Sequence, residues 1–94
     1  MKEKVRPTKQ RMAVDIFEKY RYKCGYCLTQ WAAGVHEIIP RSAGGKRVES
    51  NQIPLCKGCH EMIQANWRDY VDTLYAAQAR AKRLFGTDIE IGGV

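Results

Sequence analysis

The sequence predicts an α+β fold, in which four cysteines clamp a small β-β-α unit between an N-terminal helix and a long C-terminal helix. The cysteines form two C-x2-C pairs, and Cys27 and Cys56 leave the 28 residues 28–55 between the pairs. Apolar residues recur at helical spacings before the first pair and after the second, whereas residues 28–39 show no helical period and carry β-branched and aromatic side chains. A chain of 94 residues has room for one hydrophobic core, and a core of this size is often reinforced by a metal or by disulfides.

The first half of the chain is predicted to hold an arm, a helix and a strand. Residues 1–7 are polar and basic and are predicted to form a flexible arm. Thr8 can cap a helix that continues to about Tyr20, because the apolar side chains of this segment follow one another at spacings of three and four residues. Residues 28–39 are predicted to form one strand or the arm of a bent hairpin, and a loop rich in turn-forming residues follows over 40–50.

The second half is predicted to return along the first strand and to end in one long helix. Residues 51–55 are typical of a short extended segment, and the helix begins near Cys59 or His60. Gly86 is its natural end, because glycine favours the left-handed conformation that terminates helices. The apolar seam of this helix has steps of four and three residues and must be buried against another surface. It consists of Ile63, Trp67, Tyr70, Leu74, Ala77, Ala81 and Leu84.

The domain organisation follows from these elements. We place a single domain over residues 8–86, with its core in residues 20–64, and a tail over 87–94 that is too short to assign. Most of the aromatic side chains are predicted to pack in the core, because their spacing fits core packing better than base stacking. They are Tyr20, Tyr22, Tyr26, Trp31, Trp67, Tyr70 and Tyr75.

The charge of the chain is compatible with a polyanionic partner. Sixteen lysines and arginines oppose ten acids, which gives a net charge of +6 and an isoelectric point near 9.3. Eight of the basic residues lie in the first 23 positions, and a basic end of this kind suits nucleic acid or, equally well, forms a solubilising surface. No apolar run approaches the roughly 18 residues of a membrane span, and the charged first residues do not resemble a signal peptide. We therefore expect a cytoplasmic protein without a membrane partner.

The two cysteine pairs predict a structural zinc site. Two residues between cysteines allow both thiolates of a pair to face one ion, and together the two pairs complete a tetrahedral shell of four thiolates. The predicted ligands are Cys24, Cys27, Cys56 and Cys59. A disulfide framework is less consistent with a chain that has no secretory signal, and redox chemistry needs only one pair, usually in a βαβ context. Bound zinc would contribute on the order of 10 kcal/mol to folding.

Three polar features of the β-β-α unit are candidates for chemistry: the His36–Glu37 pair, Asn51 and His60. One histidine lies at the end of the predicted strand and the other directly follows the last cysteine, so the same clamp anchors both. An imidazole pair beside a carboxylate can bind a divalent ion and leave coordination positions for water and phosphate. Asn51 also has a plainer interpretation as a turn former at a loop corner.

Three segments together resemble the HNH endonucleases, which have the ββα-metal fold. They are CGYC, VHEIIPRSAGG and NQIPLCKGCH, in that order, within residues 20–64. The resemblance implies a zinc-stabilised domain that hydrolyses phosphodiester bonds of DNA with one divalent ion, Mg²⁺ or Mn²⁺ and in some cases Ni²⁺ or Zn²⁺. Small stand-alone members of this kind occur in phages and mobile elements, so a phage-encoded protein in the host cytoplasm is a further expectation.

The resemblance also implies roles for single residues. His36 and His60 fall on the two metal-ligand positions. Asn51 falls on the central asparagine, which orients the general base, and Arg41 is placed to approach a phosphate. Glu37 stands where most members of the family have the histidine that activates water.

The residue at position 37 leaves three interpretations open. In the first, Glu37 is the general base. In the second, His36 accepts the proton and Glu37 joins His60 as a metal ligand, which requires the strand to end or bend there because adjacent strand residues point to opposite faces. In the third, Glu37 pairs with Arg41 or Lys46 and the chemistry is lost. The domain is then a zinc-stabilised module that binds DNA or protein, with its C-terminal helix as a partner or dimer surface.

Overall fold

A computed structural model describes residues 9–93, and it has the α+β architecture predicted from the sequence. Three helices accompany a two-stranded antiparallel sheet. The predicted arm over 1–7, the predicted cap Thr8 and the last residue of the tail, Val94, lie outside the described residues. The elements are α1 (Lys9–Lys19), β1 (Gly34–Glu37), β2 (Gln52–Leu55), α2 (Lys57–Ala65) and α3 (Trp67–Phe85), with single 3-10 turns at Arg41–Ala43 and Glu49–Asn51.

Helix α1 lies where the sequence predicts a helix, and it packs on the sheet. Ile16 in α1 and Tyr20 just after it are fully or almost fully buried, and the helix contacts both strands. Arg21 and Tyr22 adopt the left-handed conformation, with φ of 55° and 63°, which an α-helix cannot continue through. The end of α1 therefore turns the chain directly into the first cysteine pair.

Strand β1 is shorter than the predicted segment 28–39. The backbone around the first cysteine pair folds back on itself, since the Cys24 N–H donates to the Gln30 carbonyl over 2.8 Å and the Ala32 N–H donates to the Tyr22 carbonyl over 2.8 Å. Leu28 has a φ of 63°, which interrupts any extended run. The strand itself begins at Gly34, and it pairs antiparallel with β2 over four residues.

The long C-terminal helix begins two residues before Cys59, the earlier of its predicted starts, and it is interrupted once, which was not predicted. The helix begins at Lys57, because Cys56 occupies the N-cap and its thiol accepts a hydrogen bond from the Cys59 N–H. Asn66, with φ of −134° and ψ of 45°, separates α2 from α3. Asparagine favours turns over helix interiors because its amide competes for backbone hydrogen bonds. The predicted end is confirmed: Gly86 has a φ of 64° and its N–H donates to the Lys82 carbonyl.

Most of the apolar seam on the C-terminal helices is buried within the chain itself. Its buried members are Ile63, Leu74, Ala77 and Ala81. They share one core cluster with Ile16 of α1 and Ile53 of β2, and Ile89 of the segment after α3 joins the same cluster. Leu84, the last residue of the seam, is exposed. The four buried members of the seam are therefore covered by the chain itself.

Two of the aromatic residues that do not follow the prediction of a core role are strongly exposed. Trp31 is 67% exposed and Tyr22 is 49% exposed. The Lys23 ammonium lies 4.1 Å from the centroid of the Trp31 ring, a cation–π contact that occupies one face of the indole. Among the helices of residues 9–93, none has the length and apolar character needed to cross a membrane.

Candidate functional site

The four cysteines form a tight cluster between the sheet and the helices. Their sulfur atoms all lie within 4.8 Å of one another, and Cys27 Sγ is 4.0 Å from Cys56 Sγ. Within residues 9–93 this is the only group of three or more histidine, cysteine or acidic residues gathered so closely. All four thiols are free rather than joined in disulfides, so the cluster can hold a metal ion, as the spacing of the pairs predicts.

Backbone and hydroxyl donors surround the sulfur atoms. The Cys27 N–H donates to Cys24 Sγ over 3.4 Å, and the Thr29 hydroxyl donates to Cys27 Sγ over 3.4 Å. Burial alone would raise the pKa of Cys27, but hydrogen bonds from Thr29 and Gln30 outweigh it and lower that pKa to about 6. Burial and the neighbouring thiols raise the pKa of Cys59. Crowded thiolates repel one another, and a divalent cation at their centre offsets this electrostatic repulsion.

Arg80 of α3, which the sequence analysis did not single out, fastens the first cysteine pair to the helix. Its guanidinium donates through Nη2 to the carbonyl oxygens of Gly25 and Tyr26, which lie between Cys24 and Cys27. The Gly25 N–H donates in turn to the Pro54 carbonyl of β2 over 2.7 Å. The cysteine loop is thus tied to both α3 and β2, over sequence separations that no local pattern reveals.

The structure brings the two histidines together. His36 lies in β1, and His60 is on α2 directly after Cys59. The centroids of their rings are 5.4 Å apart and the ring planes meet at 70°. Both side chains line a cavity of about 530 Å³. His36 is 7% exposed, and its Nε2 atom is buried without a hydrogen-bond partner among the described residues.

The charge state of His36 follows from its surroundings. Burial, and to a lesser degree repulsion from His60, lower the pKa of His36 to about 4. The imidazole is therefore neutral at pH 7, and one of its ring nitrogens carries a free lone pair.

Glu37 and Arg41 line the same cavity as the histidines. Strand β1 ends at Glu37, so His36 and Glu37 need not point to opposite faces as they would inside a strand. Glu37 Oε2 lies 3.9 Å from Arg41 Nε, and the Arg41 side chain is 62% exposed. An ion pair this long and this exposed contributes little to stability, so the guanidinium is available to another anion.

Asn51 is buried and holds the chain that follows β1. Its Oδ1 accepts a hydrogen bond from the Ile39 N–H, and its Nδ2 donates to the carbonyl oxygens of Ile39 and Lys46, each over 2.9 Å. Gly45 makes this close approach feasible, because a Cβ there would lie 1.6 Å from the Ile39 carbonyl oxygen. Asn51 is thus more than a turn former: it fixes the exit of β1 beside His36 and Glu37.

A second buried amide, which the sequence analysis also missed, supports Asn51 from α3. Gln78 is fully buried, and its Nε2 donates to the carbonyl oxygens of Ser50 and Gln52, on either side of Asn51. Its Oε1 accepts a hydrogen bond from the Gly92 N–H. The only sign of this supporting role in the sequence is that a glutamine lies among the apolar residues of the helix.

The cavity has further polar and aromatic walls that were not predicted. Arg47 comes from the loop between the strands, Gln64 from α2, and Trp67 from the first residue of α3. Trp67 was expected to be a core residue, whereas the structure places it half-buried on the cavity wall.

The comparison with known families agrees with this geometry. Residues 24–66, which contain the cysteine cluster, both histidines, Glu37 and Asn51, match the family model described as HNH endonuclease. A search of the curated proteins finds no significant match. The match spans the segment from the first cysteine through α2, somewhat less than half of the chain, and over this segment the protein is similar to the HNH endonucleases.

Proposed function

We propose that the protein is an endonuclease that hydrolyses phosphodiester bonds of DNA, with a divalent metal held by His36 and His60 and with Glu37 as general base. One observation carries the proposal: the two imidazole rings lie edge to face, with their centroids 5.4 Å apart, in a cavity that Glu37 and Arg41 also line. The match of residues 24–66 to the HNH endonuclease family model supports nucleic acid as the substrate class. The net charge of +6 suits the same polyanion.

The histidine pair fits a divalent ion. His36 Nε2 is a buried ring nitrogen without a hydrogen-bond partner among the described residues, which is costly unless it binds a ligand, and in its unprotonated form it can donate a lone pair to a metal ion. His60 is the adjacent second nitrogen donor. Two imidazoles leave the remaining coordination positions for water and phosphate oxygens, and Mg²⁺ or Mn²⁺, or the softer Ni²⁺ or Zn²⁺, are suitable ions. When bound, the ion supplies a Lewis acid that neutralises charge on the phosphate.

The side chains around the pair have complementary tasks. Glu37 accepts a proton from a water molecule, whose oxygen forms the new bond to phosphorus while the bond to the departing 3′ oxygen breaks. The departing oxygen takes its proton from solvent. Arg41 can leave its weak pairing with Glu37 and bind a phosphate oxygen of the strand. Asn51 keeps the backbone after Glu37 in place through its hydrogen bonds to Ile39 and Lys46.

We assign the four cysteines to a structural zinc ion. The thiolate shell joins the loop before β1 to the start of α2, and His60 directly follows the last ligand, Cys59. Zinc is the ion that four thiolates at tetrahedral distances favour. Its role is therefore to hold α2 against β1, which keeps the two imidazoles at their short distance.

A second function is a binding module without chemistry. The observation that favours it is that Glu37 Oε2 lies 3.9 Å from Arg41 Nε, so the carboxylate already has a cationic neighbour before any substrate binds. In that case the protein would bind DNA in a salt-sensitive manner without cutting it.

Supercoiled plasmid tests the proposal. We expect the zinc-loaded protein to nick or linearise the plasmid when Mg²⁺ or Mn²⁺ is added, as followed by gel electrophoresis. Glu37→Gln should lower the rate by about 10²- to 10⁴-fold, because the amide has the shape of the carboxylate but cannot accept the proton. Glu37→His restores the base found in most members of the family and should retain activity. Plasmid that stays intact with wild type and with Glu37→His would select the binding module instead.

A further inference from the structure

The cavity extends along α2 beyond the histidine pair to an indole ring. His60, Gln64 and Trp67 follow one another at spacings of four and three residues, and all three line the cavity. The proposed hydrolysis assigns no task to Gln64 or Trp67. The Arg68 guanidinium carbon lies 4.7 Å from the Trp67 ring centroid, so the indole that lines the cavity also contacts a cation.

The positive charge of the cavity wall suits phosphate groups. Arg41 and Arg47 line the cavity, Arg68 contacts the indole, and among residues 9–93 Glu37 is the only carboxylate on the cavity wall. Apolar wall is contributed by Ala13, Val35 and Pro40. A site that combines guanidinium groups, an aromatic ring and a side-chain amide has the elements that bind a nucleotide: cations for phosphate, a surface for stacking, and donors and acceptors for a base edge.

We propose that Trp67 forms a subsite for one unpaired nucleobase next to the phosphate that is cleaved, with Arg47 binding a neighbouring phosphate. The proposal rests on the proposed function and deepens it, because it names the form of nucleic acid that the site takes. A base that stacks on Trp67 has left the stack of a duplex. The protein should therefore prefer single-stranded DNA, or duplex DNA with an unpaired base, over a perfect duplex.

Binding of fluorescently labelled oligonucleotides to the zinc-loaded protein, measured by anisotropy without added Mg²⁺ or Mn²⁺, tests the subsite. The three probes are a short single-stranded DNA, a strand of equal length made only of abasic sites, and a perfect duplex. Stacking of one base is worth about 1–3 kcal/mol, so Trp67→Ala should weaken binding of the normal strand about 5- to 150-fold. Trp67→Phe should bind within about threefold of wild type, since it keeps a ring for stacking.

The abasic strand separates stacking from phosphate contacts. It keeps the phosphates but has no base, so we expect it to bind wild type as weakly as the normal strand binds Trp67→Ala, and to be insensitive to Trp67→Ala. The matched control is Trp31→Ala, which removes the other, exposed tryptophan that does not line the cavity and should leave binding unchanged. Thermal unfolding of each variant verifies its fold. If Trp67→Ala does not fold, the subsite is tested by the affinity of Trp67→Phe for the normal strand and by the affinities of wild type for the normal and the abasic strand.

Equal affinity of wild type for the normal and the abasic strand would overturn the subsite, as would a folded Trp67→Ala that binds the normal strand like wild type. So would tighter binding of the perfect duplex than of the single strand. The failure of the subsite and that of the proposed function are distinguishable. Plasmid cleavage together with normal binding by Trp67→Ala removes only the subsite, whereas Trp67-dependent binding without any cleavage removes only the nuclease activity.

Discussion

Cys56→Ser should abolish cooperative folding of the protein. Cys56 is a buried member of the thiol cluster and also occupies the N-cap of α2, so its loss opens the metal shell at the point where α2 meets β2. Zinc bound by four thiolates contributes roughly 10 kcal/mol or more of apparent folding free energy, which equals or exceeds the net stability of a typical small domain. Thermal unfolding followed by circular dichroism should show a sigmoidal transition for wild type and none for the variant.

Thr29→Val is the matched control for this prediction. It removes the hydroxyl that donates to Cys27 Sγ but leaves all four thiols, so it should keep a cooperative transition and lose only about 1 kcal/mol. A strong zinc chelator added to wild type should reproduce the result of Cys56→Ser. A cooperative transition at the wild-type temperature in Cys56→Ser would show that the clamp is not needed for folding.

His60→Ala should remove plasmid cleavage and leave the fold intact. His60 is half-buried on α2, and its removal leaves the thiol cluster and the core unchanged. Loss of a residue that merely orients a metal ligand typically lowers metal affinity or activity by 10- to 100-fold. Loss of a ligand itself should therefore reduce cleavage by at least about 100-fold. Nicking rates at saturating Mn²⁺, with thermal unfolding measured in parallel, give the comparison.

Glu61→Gln is the control for His60→Ala. Glu61 is the next residue of α2, is exposed and does not line the cavity, so the substitution should leave the nicking rate within about twofold of wild type. Cleavage by folded His60→Ala at the wild-type rate would exclude a metal role for this imidazole.

The parts of the fold that the sequence predicts are those set by local pattern. The pairs of cysteines, the apolar spacing of α1 and the glycine that ends α3 each act within a few residues, and each lies where it was predicted. The break at Asn66 was missed because the seam of apolar residues continues through it with unchanged spacing. The shortening of β1 was missed because it depends on hydrogen bonds within the cysteine loop, which periodicity does not report.

The part of the candidate site that local sequence pattern sets was also predictable. His60 is adjacent to a cysteine ligand and His36 lies on the strand that the clamp holds, so their convergence follows from the motif. The supports from α3, Arg80 and Gln78, contact segments 26 to 55 residues away in the chain, and only the tertiary structure shows them. The same holds for Trp67, since its helical spacing fits the core and the wall of the cavity equally well.

Titration of the zinc-loaded protein with Mn²⁺, with free Mn²⁺ measured by electron paramagnetic resonance, tests most directly whether the two imidazoles hold a divalent ion. We predict one Mn²⁺ bound per chain in wild type, in addition to the zinc ion, and no Mn²⁺ bound at this site in a folded variant that combines His36→Ala and His60→Ala. Mn²⁺ binding of equal strength and stoichiometry in that folded variant would contradict the account.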